Sequence, residues 1–231
     1  MAAVKVGGVV FEKKIKVETV MPNRLKIQLD LGGETTLYSG GKRAGYLQGN
    51  LSSTWLHGAV ARNLKADIKL SFTERPARFP GFDAYVFDDP VRSFKSEPHE
   101  LFEGRLDVGG QVTFKEKFKL EDEAPGMLNA HFETRVFEPG GAFSIERHSL
   151  PFHPYARYVG LLAPKGDKAR GMLLTDTDHT VHLAMVDDHG RPVPEGEVEI
   201  KLYKIKWRWW WEKGREDFAN FSSSEAYKVI K

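Results

Sequence analysis

The chain has 231 residues, and its 34 lysines and arginines nearly balance 32 aspartates and glutamates, which leaves a formal net charge of +2 at pH 7. This balance offers no basic surface of the kind that nucleic-acid binding requires, so we expect no nucleic-acid partner. Cysteine is absent, which excludes disulfides, thiolate metal sites and cysteine nucleophiles within these residues. No apolar run approaches the ~18 residues of a membrane-spanning helix, so we also expect no membrane insertion.

Apolar and polar residues alternate along most of the chain. Ile68 and Leu70 share one parity while Asp67 and Lys69 take the other, which is typical of a strand with one face in a core and one in water. Glycine-rich turns separate such segments, so the pattern predicts an all-β chain of antiparallel strands that form a sandwich or a barrel. Seven strands in about 125 residues correspond to a complete sandwich, which is the architecture we expect. The predicted strands are 24–31, 46–56, 63–73, 100–107, 111–120, 127–137 and 142–150.

The same alternation predicts which side chains meet between the two sheets. A shift of one residue would turn a whole strand inside out, so each strand has one possible inward face. The residues expected in a single inter-sheet core are Leu25, Ile27, Leu51, Trp55, Ile68, Leu70, Phe114, Phe118, Phe132 and Val136.

The segment 74–96 is too long for a plain connection between two of these strands. It carries four aromatic residues, Phe79, Phe82, Tyr85 and Phe87. A long loop that stays ordered needs buried side chains of its own, so we expect a folded-back loop packed on the sandwich.

The predicted sandwich does not account for either end of the chain. Apolar and polar residues alternate over 4–20, which predicts a hairpin, and Pro22 follows it. A further set of such alternating segments follows a break at 148–154. Shifting the chain by 132 positions superposes Leu51 on Leu183 and Gly58 on Gly190, a weak internal repeat. We therefore predict that the chain is a section of a tandem array of domains. Its three parts are the terminal hairpin of a preceding domain (1–21), one complete sandwich (22–150) and the first strands of a following, incomplete domain (151–231).

Acidic residues and histidines gather after residue 175. Asp176 and Asp178 would project on the same side of a strand and share a calcium ion, with His179 and His182 close by. The spacing lacks that of a calcium loop, however, and 187–190 has the composition of a turn, so we expect turns and no metal or cofactor. The chain also lacks nucleophile-elbow, metalloprotease and phosphate-loop motifs, so we expect no enzyme.

The segment 204–212 is the most unusual in composition, because lysines and an arginine alternate with Ile205, Trp207 and Trp209. Its tryptophans would form an exposed aromatic platform for sugar rings or a protein partner. Packing between neighbouring domains is the alternative that we favour. The residues of this candidate interaction surface are Trp207, Trp209, Trp210 and Trp211.

A change of parity precedes this segment. Val198, Ile200 and Leu202 are apolar at even positions, whereas Tyr203 and Ile205 are apolar at odd ones. A regular strand cannot send both sets to one core. We favour a β-bulge between Leu202 and Tyr203, and the alternative is a regular strand whose second half buries its other face under the preceding domain.

Taken in order, several segments resemble one known family. They are VETVMPNRLKI (17–27), WLHGAVARNLKADIKLSF (55–72), VTFKEKFKL (112–120) and LNAHFETRVFEPGGAFS (128–144), followed by HPYARYVGL (153–161) and HLAMVDDHGRPVPEGEVEIKLYKIKWRWWWE (182–212). This order resembles the macroglobulin-like domains of bacterial alpha-2-macroglobulin family proteins. The resemblance covers nearly the whole chain.

The resemblance implies tandem seven-stranded sandwiches of immunoglobulin- or fibronectin-like architecture, in a protein of the periplasm, outer surface or secreted fraction whose signal sequence lies outside this stretch. It further implies a non-catalytic scaffold in a protease trap, with neighbouring macroglobulin-like domains as partners and proteases as targets of the parent protein. The family's Cys-Gly-Glu-Gln thioester cannot lie here, because the chain has no cysteine, so no functional residue is transferred. The alternative function is a carbohydrate-binding or adhesive sandwich, which would need the tryptophans exposed.

Overall fold

The computed structural model describes residues 2–6, 9–13, 22–39, 46–169, 171–200, 202–205 and 227–230. Every regular element in these residues is a β-strand. Accordingly, the described ranges hold no helix with the length and apolar character needed to span a membrane. The strands are β1 (Ala2–Val6), β2 (Val9–Lys13), β3 (Leu25–Asp30), β4 (Leu37–Tyr38), β5 (Tyr46–Trp55), β6 (Lys65–Arg75), β7 (His99–Arg105), β8 (Gln111–Lys117), β9 (Met127–Phe137), β10 (Phe143–His153), β11 (Arg157–Leu162), β12 (His182–Asp187), β13 (Leu202–Ile205) and β14 (Tyr227–Ile230).

Strands β3 to β10 form a sandwich of two sheets. One sheet has the order β3-β5-β8, and the other has the order β4-β10-β9-β6-β7. Neighbouring strands are antiparallel except for β4, which pairs parallel with the end of β10. The predicted all-β sandwich is confirmed, and each of the seven predicted strands corresponds to an observed one. The short strand β4 was missed, because two residues are too few for an alternating pattern to show.

The predicted core is confirmed. Strand β9 buries every second side chain, including Phe132 and Val136, against one apolar cluster that both sheets share. Eight of the ten predicted residues are buried in that cluster, while Trp55 and Phe118 are partly buried against it. Alternation succeeds here because both sheets have one face in this core and one face outside it.

Asp67 corrects the sequence-based prediction, which placed it on the wet face of its strand. Its side chain is buried on the outer face of the five-stranded sheet, where the Arg135 guanidinium donates to both carboxylate oxygens, with 2.9 Å from Nε to Oδ1. Arg135 also lies 5.3 Å and 5.5 Å from the ring centres of Phe137 and Phe143. The hydrogen bond to Asp67 raises the pKa of Arg135, so the guanidinium stays charged where it covers part of the outer face.

The chain divides into two compact units, residues 1–192 and 193–231. The first contains the hairpin β1–β2, the sandwich and the hairpin β11–β12. A hairpin was predicted over residues 4–20; the observed hairpin β1–β2 lies within 2–13, and residues 14–20 lie outside the described ranges. Its assignment to a preceding domain stays a prediction, as do the boundaries at 21 and 150. The second unit contains β13 and β14, which pair antiparallel.

The second unit corrects part of the prediction for residues 198–209, of which 201 and 206–209 lie outside the described residues. Residues 193–200 lie outside any strand and Ile200 is 70% exposed, so the expected buried series at Val198 and Ile200 is wrong. Strand β13 begins at Leu202 and keeps a regular register with β14 through Ile205, so the predicted bulge is also wrong. The parity changes where the strand begins, and a bulge is not needed to explain it.

Candidate functional site

The long loop between β6 and β7 folds back, as predicted from its aromatic residues. Phe79 and Phe87 are buried, while Phe82 and Tyr85 are partly buried beside them. Their cluster is separate from the sandwich core, however, and contains Met127 of β9 together with residues of the hairpin β11–β12. The loop therefore packs between the sandwich and this hairpin, whereas the sequence had indicated the sandwich alone.

The Asp88 carboxylate holds the loop in its folded-back shape. Its two oxygens accept hydrogen bonds from the Ala77 backbone N–H, at 2.9 Å and 3.2 Å. The backbone N–H of Asp89 donates to the Pro125 carbonyl at 2.7 Å, which ties the loop to the start of β9. A Cβ at position 126 would overlap the Asp88 carboxylate, so a side chain there would displace this group.

The loop contacts the hairpin through its backbone. Val86 and Leu161 exchange two N–H···O=C hydrogen bonds, each 2.9 Å long, so the loop adds one antiparallel β-bridge to the edge of β11. Next to this bridge, Gly160 lies under the Phe87 ring, and a Cβ there would come within 2.5 Å of the ring's Cε1 atom. The absence of a side chain at this position lets the ring rest directly on the strand.

Six ring side chains complete the contact between the sandwich and the hairpin. The Phe79 ring is 4.8 Å from that of Phe87 and 5.2 Å from that of Tyr158 on β11. Tyr38 of β4 stacks on His153 at 5.0 Å and meets His189, after β12, at the same distance. We call this set the aromatic joint: Tyr38, Phe79, Phe87, His153, Tyr158 and His189.

Two polar atoms are buried in the aromatic joint. Nδ1 of His153 and the hydroxyl of Tyr158 meet no hydrogen-bond partner among the described residues. Burial lowers the pKa of His153, with Asp188 opposing the change, so its imidazole is neutral at pH 7. Burial raises the pKa of Tyr158. The nearby Tyr155 backbone lowers this pKa to a smaller extent, although it does not form a hydrogen bond with the Tyr158 hydroxyl. Both groups are therefore packed among the rings of the aromatic joint.

The candidate calcium ligands are not brought together. Residues 175–177 form a turn, where Asp176 has a φ of 60°, so the strand that would have aligned it with Asp178 is absent. Asp187 instead accepts hydrogen bonds from the backbone N–H groups of His189 and Arg191, each at 2.9 Å, and the bond from Arg191 lowers its pKa. The turn predicted at 187–190 is confirmed. Within the described ranges, three or more histidine or acidic side chains nowhere converge to hold a metal.

The predicted interaction surface at Trp207, Trp209, Trp210 and Trp211 lies outside the described residues. Whether these indoles are exposed or buried therefore stays a prediction. The aromatic joint, in contrast, was only partly anticipated. Phe79 and Phe87 were noted as loop aromatics, but His153 and Tyr158 were not singled out, although ring residues crowd the break between the two modules there.

Comparison with known proteins agrees with the fold. The model of the bacterial alpha-2-macroglobulin MG5 domain matches residues 23–154, and that of bacterial macroglobulin domain 6 matches residues 162–231. No curated protein matches the chain significantly. The aromatic joint draws residues from both matched ranges, with Tyr158 in the gap between them.

Solved structures with similar folds include bacterial alpha-2-macroglobulins. Trypsin-activated alpha-2-macroglobulin from Escherichia coli is 15% identical with a TM-score of 0.51, over 92% of this chain and 14% of that one. Salmonella alpha-2-macroglobulin reacted with methylamine is 19% identical with a TM-score of 0.51, over 92% of this chain and 14% of that one. The Escherichia coli protein activated by porcine elastase is 18% identical with a TM-score of 0.50, over 80% of this chain and 15% of that one.

These identities show the fold alone, and the chain spans about 15% or less of the length of the structures that it matches. The family is shown by the MG5 model, which accounts for more than half of the chain. The chain belongs to the bacterial alpha-2-macroglobulin family.

Proposed function

We propose that this chain is a non-catalytic scaffold section of a bacterial alpha-2-macroglobulin-like protein, in which the aromatic joint holds two consecutive macroglobulin-like domains together. The observation that carries the proposal is the joint itself. Four of its rings, those of Phe79, Phe87, His153 and Tyr158, are buried between the sandwich and the hairpin β11–β12, and two reciprocal backbone hydrogen bonds lie beside them. A linker between independent domains would have few such contacts.

The same proposal assigns the parent protein its target molecules and its cellular location. The parent would act on proteases in the periplasm, at the outer surface or after secretion, and this section would transmit shape between neighbouring domains. The family supports this role. Residues 1–21 and 151–231 would then belong to the domains on either side of the sandwich.

The chain alone is expected not to inhibit or covalently capture a protease, because a trap needs parts that a scaffold section does not supply. The test is a titration of trypsin and elastase with up to a tenfold molar excess of the chain, followed through a small chromogenic peptide and through casein. A heat-unfolded sample serves as the control for competition as a substrate. Stoichiometric inhibition by the folded chain alone would contradict the scaffold role and indicate a direct inhibitory surface.

A rigid joint is expected to fix the distance between the sandwich and the hairpin. The chain has no cysteine, so nitroxide labels attach only at introduced positions, such as Glu146→Cys on β10 and Leu183→Cys on β12, both exposed. Pulsed electron–electron double resonance measures the distance between the two labels, and at pH 7.5 it should give one narrow distance distribution. A broad distribution would mean that the joint does not hold the hairpin, and would contradict the proposed function.

A further inference from the structure

His153 occupies an unusual place in the aromatic joint. Its side chain is 6% exposed and stacks on Tyr38 with their ring planes 16° apart. The ring also meets Tyr158 edge-on at 5.6 Å and lies 6.2 Å from Phe79. One imidazole therefore makes ring contacts with the sandwich, the loop and the hairpin.

The charges around His153 do not compensate for a proton on its ring. From the hairpin, Asp188 favours the charged form whereas His189 opposes it, and Asp188 already lies 4.0 Å from the His189 ring. From β6, Arg75 also opposes the charged form. Tyr38 and Tyr158 face the ring from β4 and β11, and Nδ1 has no hydrogen-bond acceptor among the described residues. An imidazolium in this position would be a buried charge without a direct partner, which is costly.

The sign of the pH effect follows from this arrangement. Burial lowers the pKa of His153 in the closed joint, whereas a ring that meets water titrates near ~6.5. Between these two pKa values the open form binds more protons than the closed form. The closed joint therefore keeps its full stability above about pH 6.5 and loses stability as the pH falls through the lowered pKa.

We propose that the aromatic joint is a pH-sensitive coupling, in which protonation of His153 releases the hairpin β11–β12 from the sandwich. This inference rests on the proposed scaffold function, because it assumes that the joint holds the hairpin at neutral pH. Acidification would then loosen the mechanical connection between the two domains while leaving the apolar core of the sandwich intact.

The experiment uses the chain labelled at Glu146→Cys and Leu183→Cys, with distances measured from pH 7.5 to pH 5.0. A longer or broader population is expected to appear on acidification, and its ratio to the closed population should rise by up to about tenfold per pH unit below ~6.5, as one-proton linkage requires. His153→Phe keeps a ring and cannot titrate, so its distribution should stay narrow throughout. Asp188→Asn removes the carboxylate that favours the charged form of His153. The pKa of His153 in the closed joint should then fall further, so the response should extend to lower pH.

Two controls separate the possible outcomes. His148→Phe alters an exposed imidazole on the same strand and should respond to pH as the wild type does. His189→Gln removes a joint residue that opposes the charged form of His153, so its response should be weaker but not lost. His153→Gln replaces the phenylalanine variant if that one does not fold. An unchanged wild type between pH 7.5 and 5.0, or a response that survives in the His153 variants, overturns the switch. A broad distribution already at pH 7.5 contradicts the scaffold function instead.

Discussion

Truncation of Phe132 to alanine is expected to cost roughly 3–5 kcal/mol of the free energy of unfolding. Phe132 is 1% exposed in β9, and its backbone lies opposite Leu70 of β6 and His148 of β10. The central strands around the ring cannot collapse easily, so the loss of transfer free energy adds to the cost of a cavity. Urea unfolding followed by circular dichroism measures the difference.

Phe143→Ala provides the matched control. Phe143 is the same residue type on the adjacent strand but is 44% exposed, so its truncation should cost about 1 kcal/mol or less. Similar losses for the two variants, or a loss below about 1 kcal/mol for Phe132→Ala, would mean that β9 does not present this face to the core.

The period-two pattern was enough to predict the sandwich, because a strand in a two-layer fold has one apolar and one polar face. The prediction from this pattern was wrong at residues where that condition is not met. Asp67 lies on an outer face that Arg135 covers, so a charged residue at a polar position is buried. At Val198 and Ile200 the alternation is present but the residues lie outside any strand, since the pattern gives no partner strand with which to pair.

The aromatic joint was harder to predict, for a physical reason. Its ring contacts, such as Tyr38 with His153, and the neighbouring bridge of Val86 with Leu161 join residues far apart in the chain, and none of these pairs follows a period. The aromatic content of the loop indicated that it buries side chains. The surface that receives them depends on where the hairpin β11–β12 lies, which local patterns do not contain.

Gly160→Ala is expected to weaken the joint by about 1–3 kcal/mol, the usual cost of forcing an extra carbon into a packed site. The new Cβ would meet Phe87 at 2.5 Å from Cε1 and 2.6 Å from Cζ. The Phe87 ring cannot move away freely, because it is buried and Phe79 lies 4.8 Å from it. Hydrogen exchange at the amides of Val86 and Leu161, which donate to each other's carbonyl groups, should lose up to about two orders of magnitude of protection.

Two further variants show whether this loss comes from the contact with the ring. Gly140→Ala changes a glycine whose Cβ would meet no atom within 4 Å, so it should leave protection unchanged. Phe87→Leu weakens the joint alone, but combined with Gly160→Ala it should cost less than the sum of the two single changes, because a smaller side chain makes room for the Cβ. Additive losses would mean that Gly160 acts through its backbone and not through the ring. If Gly160→Ala instead leaves the exchange of both amides unchanged, Phe87 does not rest on β11, and the joint cannot couple the sandwich to the hairpin as proposed.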